Sequence, residues 1–513
     1  MPVSLGLIFM GKKFLFATVF ICGMSVMAVE LTASRLLAPY FGTSLFVWTN
    51  LIGVVLLALS LGYYWGGKLA DRNGGRNARR DLFLLILTTG ILVGAIPWIA
   101  GPIFRFSYEA MPRSGLSIFF PSLVSILVLF TLPLLFLGMV TPLAVRIGIR
   151  DPDSAGRVVG SLYAFSTVGS IVGTFLPVLL TIPFWGSRET FYVFGVLLIL
   201  LGGAGLKRPF VSLVACVPFV WALLVPSTHG RADIELEKES VYNLVRVRRL
   251  PNDSRTLIIN EGIGAQSIYH PSRIFTHFYW DGAVLLPLLR PEGESFLFIG
   301  VAGGTSARLV HHFFPSLNLD GVEIDPVIAD AGRRFFGLDQ FPFDIHVGDG
   351  RVFLERQEKK YDFIMVDVYH DNLFIPFHLA TREFFETVRR RLAPRGAMVM
   401  NVFSPRGETD LLRLMKNTVA SVFPFVYEYR VRDLGSLLYA FQEGPDPGSF
   451  PSPGLDPDLQ ELAAKILDQW KPVAADPRGA ISTDDRPLVE LLAAQSIFFD
   501  LPSVKPYSFE APR

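Results

Sequence analysis

Three acidic residues follow a glycine turn at the ends of short apolar runs in the second half of this chain. The turn is Gly300-Val301-Ala302-Gly303-Gly304-Thr305, and Glu323, Asp349 and Asp367 come after it. Glycines such as Gly300, Gly303 and Gly304 let a ligand approach the backbone closely. An acidic residue about 20 positions beyond such a turn commonly grips ribose hydroxyls, which is the place of Glu323. A pyrophosphate would call for G-x-G-x-x-G, and this turn does not match it. Several carboxylates suit a cationic sulfonium nucleoside better than a dinucleotide. A carboxylate within reach can also take the proton of an amine as the nitrogen attacks carbon. Further acids can hold a second positive charge on a ligand by charge-assisted hydrogen bonds, and Asp281, Glu261 and Asp371 are the candidates. A sulfonium would be a ready leaving group, so positioning would supply much of the acceleration. His270, His277, His311, His312, His370 and His378 show no metal-ligand spacing, and no metal is expected.

These residues need a scaffold that brings strand ends together. Strands are expected at Phe296–Ile299, Leu319–Glu323, Asp344–Val347, Phe363–Asp367 and Ala397–Val402. Helices are expected at Ser306–Phe314, Pro326–Phe336 and Thr381–Leu392. Such alternation predicts α/β architecture, a parallel sheet with helices on both faces, and ligands bind beyond the carboxyl ends of its strands. Ahead of it, "SVYNLVRVRRL" and "RTLIINEGIGAQS" read as a small β-rich segment, residues 231–290, before the nucleoside-binding domain, 291–513. The tail from Glu443 to Gly479 is rich in Pro and Asp, with a helical stretch at Asp458–Trp470.

Residues 1–226 are different. Hydrophobic residues make up 51% of the 513-residue chain and charged residues only 18%, against about 25% charged in soluble domains. Most of the imbalance lies before Pro226. Apolar runs at Phe14–Leu31, Val47–Tyr64, Leu82–Ala100, Leu116–Val140, Val158–Pro183, Phe191–Leu206 and Pro209–Val225 predict a multi-pass α-helical membrane domain of six to seven spans, with the lipid bilayer as partner. Phe14–Leu31 is followed by further spans and is not read as a cleaved signal. Lys12 and Lys13, the loop Lys68–Arg80, and Arg146, Arg150 and Arg157 place those ends inside. Lys207 and Arg208 do the same for the loop before Pro209–Val225, so six spans leave the following domain cytoplasmic and seven place it outside. Glu30 is expected near a span end, paired with Arg35. Small residues in Gly160–Phe175 are expected to let helices pack closely. Cys22 and Cys216 read as buried hydrophobes. A net charge of +1 gives no reason to expect nucleic-acid binding.

Residues 240–402 resemble the spermidine synthases, the polyamine aminopropyltransferases. The resemblance rests on Tyr242, "NEG" with Gln266 downstream, "FYWDGAVLLPLL", the glycine turn, "VEID", "GDGR", "YDFIMVD" and "LATREFF". The amino-terminal "FVWTNLIGVVLLALSLGYYWGGKLADR" and the tail "STDDRPLVE" resemble the membrane-fused members of that family. The resemblance implies a Rossmann-like, methyltransferase-type sheet preceded by a small β-domain. It implies transfer of an aminopropyl group from decarboxylated S-adenosylmethionine to an amine such as putrescine. Glu323 would hold the ribose, Asp349 the adenine amino group, and Asp367 would be the general base. Gln266, counted with the donor-binding residues, and Tyr279 would flank the cleft. Asp281, Tyr369, His370 and Asp371 complete the expected substrate side.

Three departures stand out. Gly303 takes the place of the family's Asp, "DSSD" becomes Asp367-Val368-Tyr369-His370, and Tyr-His-Glu becomes Tyr279-Trp280-Asp281. They leave intact S-adenosylmethionine open as donor, and with it a methyltransferase on the same fold. A polyamine transporter or sensor also stays open, because "GGKLADRNGGR", Gly66–Arg76, resembles a loop signature of facilitator transporters. A homodimer is the candidate assembly.

Overall fold

The apolar runs of the first half form long helices, the conformation in which a segment satisfies its own backbone hydrogen bonds. The computed structural model describes residues 11–42, 45–72, 77–110, 119–149, 151–224, 233–260, 264–369, 374–404, 407–431, 435–445, 455–489 and 492–493. The chain divides into one unit of Met1–Pro112 and Ser117–Gly230 and another containing Arg231–Arg513. The first holds α1 (Lys12–Phe41), α2 (Leu45–Asp71), α3 (Ala78–Ala110), α4 (Phe119–Gly148), α5 (Ala155–Leu176), the short α6 (Ile182–Trp185), α7 (Ser187–Leu206) and α8 (Pro209–Leu224).

Among the described residues six helical spans are long and apolar enough to cross a membrane, the fifth running from Pro152 through Trp185. The seventh apolar run becomes α8, with 16 residues. At 1.5 Å per residue it extends about 24 Å, short of a hydrocarbon core of about 30 Å. Helices α2 and α4, α3 and α7, and α1 and α5 form the principal pairs. Gly169 and Gly173 of α5 lie against α1, where an added Cβ would come within 2.0 Å of the Phe20 and Met24 carbonyl oxygens. The small residues of this stretch therefore permit backbone contact between the two helices. Glu30 and Arg35 both fall on one continuous helix. Residues beyond Leu31 stay largely apolar, so α1 continues to Phe41 and both lie inside it.

The second unit begins with β1 (Ile234–Glu239), β2 (Leu244–Arg249), β3 (Arg255–Ile259) and β4 (Ser267–Tyr269). They form an antiparallel sheet in chain order. Then come α9 (Leu285–Leu289), β5 (Ser295–Ile299), α10 (Thr305–Phe313), β6 (Asn318–Glu323), α11 (Pro326–Phe336), β7 (Asp344–Val347), α12 (Gly350–Arg356), β8 (Tyr361–Val366), α13 (Arg382–Arg391), β9 (Leu392–Phe403), α14 (Asp410–Ala420), β10 (Phe425–Val431), β11 (Gly435–Phe441), α15 (Pro457–Asp468) and β12 (Lys471–Pro472). The strand order is β12-β10-β11-β9-β8-β5-β6-β7. Strands β9, β8, β5, β6 and β7 run parallel. Strands β11, β10 and β12 are antiparallel, so the sheet is mixed rather than all parallel. The reversal has a local cause: β10 ends at Val431 and β11 begins at Gly435, a gap too short for the crossover that a parallel pair needs.

Strand β5 is buried throughout, as a parallel strand covered on both faces must be. Leu297 and Ile299 face a core shared with Phe384, Val388, Leu412 and Met415. Phe296 and Phe298 face the opposite one, with Leu285, Leu309 and Tyr439. Polar side chains start the helices that leave the strand ends. Asp325 accepts from Val327 N at 2.9 Å, Asp349 from Arg351 N and Val352 N, and Thr381 from Phe384 N. Each satisfies a first-turn N–H that the helix itself cannot. Asp325 also joins the small sheet to the large one. Its Oδ2 accepts from the Ser240 hydroxyl at 2.6 Å and the Asn243 amide at 3.1 Å.

Candidate active site

Chain order reverses direction across the sheet between β5 and β8, and such a switch point opens a crevice at the strand ends. The Asp367 N–H donates to the Ile299 carbonyl at 2.9 Å, which seats the first residue after β8 beside the first turn residue after β5. Gly300 has φ +86°, and a Cβ on it would lie 2.1 Å from the Asp367 carbonyl oxygen. Only glycine fits this contact and this backbone region. A cleft open to solvent lies here, lined among others by Gln266, Trp280, Gly300, Thr305, Ser306 and Asp367.

Glu323 ends β6, and Asp349 and Asp367 follow β7 and β8, along one rim in the spatial order β8-β5-β6-β7. Three strand spacings of about 4.8 Å make that rim roughly 14 Å long, enough for a nucleoside with a short alkyl tail. The glycine turn is tied to Glu323, whose Oε2 accepts from Ala302 N at 2.9 Å and whose Oε1 accepts from Asp325 N at 3.1 Å. Burial nevertheless raises the Glu323 carboxyl above its ordinary value, against the pull of these bonds. With Val301 N also bonding it, three backbone N–H groups meet about four lone-pair sites, which leaves acceptor capacity for a ligand hydroxyl. Ala302 holds a left-handed φ of 49°, at a cost of about 1–2 kcal/mol for a residue with a Cβ. Gly303 is packed: its N–H donates to the Ser267 hydroxyl at 2.8 Å, and a Cβ would come within 2.7 Å of the Ser267 Cβ.

Asp367 has the geometry of a base. Its Oδ1 accepts from the Asn401 amide at 3.0 Å. Desolvation raises its carboxyl from 3.8 to about 6, while hydrogen bonds from Asn401 and Tyr279 pull the other way. A carboxylate in that range is ionised at neutral pH and still accepts a proton readily. Asn401 was not singled out by the sequence. The one signal for Asn401 is a polar residue in the middle of the buried run "AMVMNVF".

Asp349 lies further along the rim, with Oδ1 accepting from Arg351 N at 2.9 Å and Oδ2 2.8 Å from His378 Nε2. The His378 contact is the main reason its carboxyl is held below the usual range, with the helix N–H groups adding to it. Asp281 is 1% exposed. Its oxygens accept from Thr276 N, the Thr276 hydroxyl and His277 N at 2.6–3.1 Å. Burial raises its carboxyl in spite of them. It clasps the turn that carries Tyr279. The Tyr369 hydroxyl donates to the Asn401 carbonyl at 3.0 Å and accepts from Phe403 N at 2.8 Å, which ties it to β9. The structure thus brings Gly300, Gly304, Gln266 and Asp367 to one cleft, with Tyr279 on Asp367 and Glu323 beside the turn. His370, Asp371 and Glu261 lie outside the described residues. Among the described residues no cluster of His, Cys, Asp and Glu could hold a metal ion.

The spermine/spermidine synthase domain family matches residues 284–440. A probable polyamine aminopropyl transferase of Bifidobacterium longum (strain NCC 2705) is 37% identical over 217 residues, covering 41% of this chain and 48% of its own length. A polyamine aminopropyltransferase of Vibrio vulnificus (strain CMCP6) is 31% identical over 218 residues, covering 41% of this chain and 71% of its own length. An eEF1A lysine and N-terminal methyltransferase of Xenopus laevis is 30% identical over 173 residues, 31% of this chain and 25% of its own length. The chain therefore spans about half the length of the first of these relatives and a quarter of the third.

Proposed function

This chain belongs to the polyamine aminopropyltransferase family, and from that premise we propose that it transfers an aminopropyl group from decarboxylated S-adenosylmethionine to a small diamine such as putrescine. The observation that carries this is Asp367, a carboxyl raised to about 6, placed directly against the glycine turn. The rim fits a cationic nucleoside: Glu323 faces the turn with acceptor capacity left for ribose hydroxyls. Asp349 follows as the acceptor for the nucleobase amine. The substrate's sulfonium supplies a carbon that is already activated, so the protein has to position and deprotonate. Asp367 receives the proton from the amine as nitrogen forms its bond to the methylene carbon. The carbon–sulfur bond breaks with its electron pair going to sulfur, which leaves as a neutral thioether. Tyr279 and Asn401 keep the carboxylate oriented, and Asp281 fixes the turn from which Tyr279 projects.

We place this unit on a membrane-anchored chain, facing the cytoplasm. Six spans that start inside, at Lys12 and Lys13, return the chain to the same side. Protease accessibility in right-side-out and inverted vesicles tests this: digestion of the 231–513 part in right-side-out vesicles would reject it.

The decisive experiment offers the full chain in detergent, with putrescine, either decarboxylated or intact S-adenosylmethionine. Mass analysis then reads the product. A diamine heavier by one aminopropyl group is expected with the decarboxylated donor only. The relation to eEF1A methyltransferases favours methyl transfer as the second reading, and a methylated product with the intact donor would replace the first.

A further inference from the structure

The carboxy-terminal "STDDRPLVE" stretch has no part in the chemistry above and lies outside residues 284–440 that match the family. It is nevertheless bound to the rim. Asp484 takes the Arg351 guanidinium in a two-point contact, Nη1 to Oδ1 at 2.7 Å and Nη2 to Oδ2 at 2.6 Å. Its Oδ1 also accepts from the Thr381 hydroxyl at 2.8 Å, and its N–H donates to Glu383 Oε2 at 3.0 Å. The stretch is secured on either side. The Ser482 carbonyl accepts from Arg382 N at 2.9 Å, the Ser482 N–H donates to the Thr418 hydroxyl at 3.0 Å, and Val489 is buried in the main core.

Arg351 carries this contact to the nucleobase end of the rim. Its N–H is held by Asp349 Oδ1 at 2.9 Å, and its Nη1 also donates to the His378 carbonyl at 3.1 Å. The His378 ring closes the circuit on Asp349 Oδ2 at 2.8 Å. The Phe377–Leu379 turn is thus fixed at its backbone by Arg351 and at its ring by Asp349. A planar two-point contact fixes direction as well as distance, which a single charge does not.

We propose that this carboxy-terminal strap is part of the donor site, with Asp484 a positioning residue that acts through Arg351 to set the Asp349 carboxylate and the His378 turn for the nucleobase. The inference rests on the reading that Asp349 receives the nucleobase amine. It makes the strap a determinant of base selectivity rather than an ornament of the fold.

The test uses the full chain in detergent and calorimetric titration with 5′-methylthioadenosine and 5′-methylthioinosine, which lacks the exocyclic amine. The parent is expected to prefer the adenosine compound. Asp484→Asn should weaken that compound about tenfold, the scale of losing a charge-assisted contact, and the inosine compound by no more than about twofold. Arg351→Lys, which keeps the charge and loses the fork, should give the same selective loss. Asp484→Glu should restore part of the preference. Glu386→Gln, on the exposed face of the same helix α13, should leave both affinities as they are. Parental binding of both compounds by Asp484→Asn, or equal loss of both, would overturn the proposal, equal loss being the mark of a strap that only supports the fold. A parent that binds both compounds alike would instead remove the nucleobase reading on which the proposal depends, and that outcome is read before any variant is made.

Discussion

Replacing Asp367 by Asn removes a charge and nearly preserves a shape, so stability and turnover should move in opposite directions. The carboxyl is raised from 3.8 to about 6 because burial disfavours its ionised form. Raising it that far corresponds to as much as about 3 kcal/mol of folding free energy at neutral pH. The sign follows from the direction. An acid whose folded value is raised lends the folded state its full benefit below 3.8 and loses it as pH climbs through 6. At pH 8 the parent carries the whole cost of a charged, poorly solvated group, and the amide does not. The side-chain oxygen of Asn can still accept from Asn401, and its NH2 can turn to the Tyr279 hydroxyl. Asp367→Asn should therefore melt several degrees higher than the parent at pH 8, at roughly 2–4 °C per kcal/mol for a unit of this size. The gap should close towards pH 4. Turnover should fall by about 10²–10⁴, the worth of a positioned base, while affinity for 5′-methylthioadenosine stays near the parent's. Parent activity should decline below about pH 6 as the carboxyl takes up its proton. Thermal melting followed by Trp fluorescence and steady-state rates at pH 5 to 8 measure both. A variant that melts lower at pH 8, or turns over within tenfold of the parent, would refute the assignment of Asp367 as a desolvated base.

Other expectations concern the rest of the rim. Glu323→Gln should weaken nucleoside binding by about 10–100-fold, read by calorimetry, because a carboxylate that bonds the Ala302 and Asp325 N–H groups is lost with its capacity for ribose hydroxyls. Gly300→Ala should lower stability by at least about 3 kcal/mol in chemical denaturation, since it adds a Cβ at φ +86° against the Asp367 carbonyl. Asp281→Asn should cost about 1–3 kcal/mol, as its NH2 would face the N–H donors of Thr276 and His277. In the same variant the amine KM should rise less than kcat falls, because Asp281 acts through the turn that carries Tyr279; a rise confined to amine KM would make it a substrate ligand.

Much of this molecule is written locally. The long apolar helices follow from length and apolarity alone, since a helix satisfies its own backbone groups. Strands β5 to β8, the glycine turn and the acids after them follow from short-range pattern: apolar runs, a turn that needs glycine, and polar residues where a strand ends. Helix α12 and the pair β10–β11 were not read from the sequence. The first is only 7 residues long, and the second sits in a stretch whose apolar residues have no clean period.

Tertiary structure decided everything that depends on which distant elements touch. Nothing in the sequence says that β8 lies against β5 rather than β7, yet that neighbourhood sets Asp367 beside Gly300. Likewise Asn401, 34 positions from Asp367, becomes its partner only because β9 lies beside β8. Asp281 reads as a free acid in sequence and is committed to backbone N–H groups in the fold. Asp484, 133 positions from Arg351, meets it because α13 and α14 supply the surface along which the strap runs. Residue type and spacing fix what a side chain can do. Only the packing of elements far apart in the chain fixes what it is next to, and for a carboxylate that neighbour sets both its charge and its task.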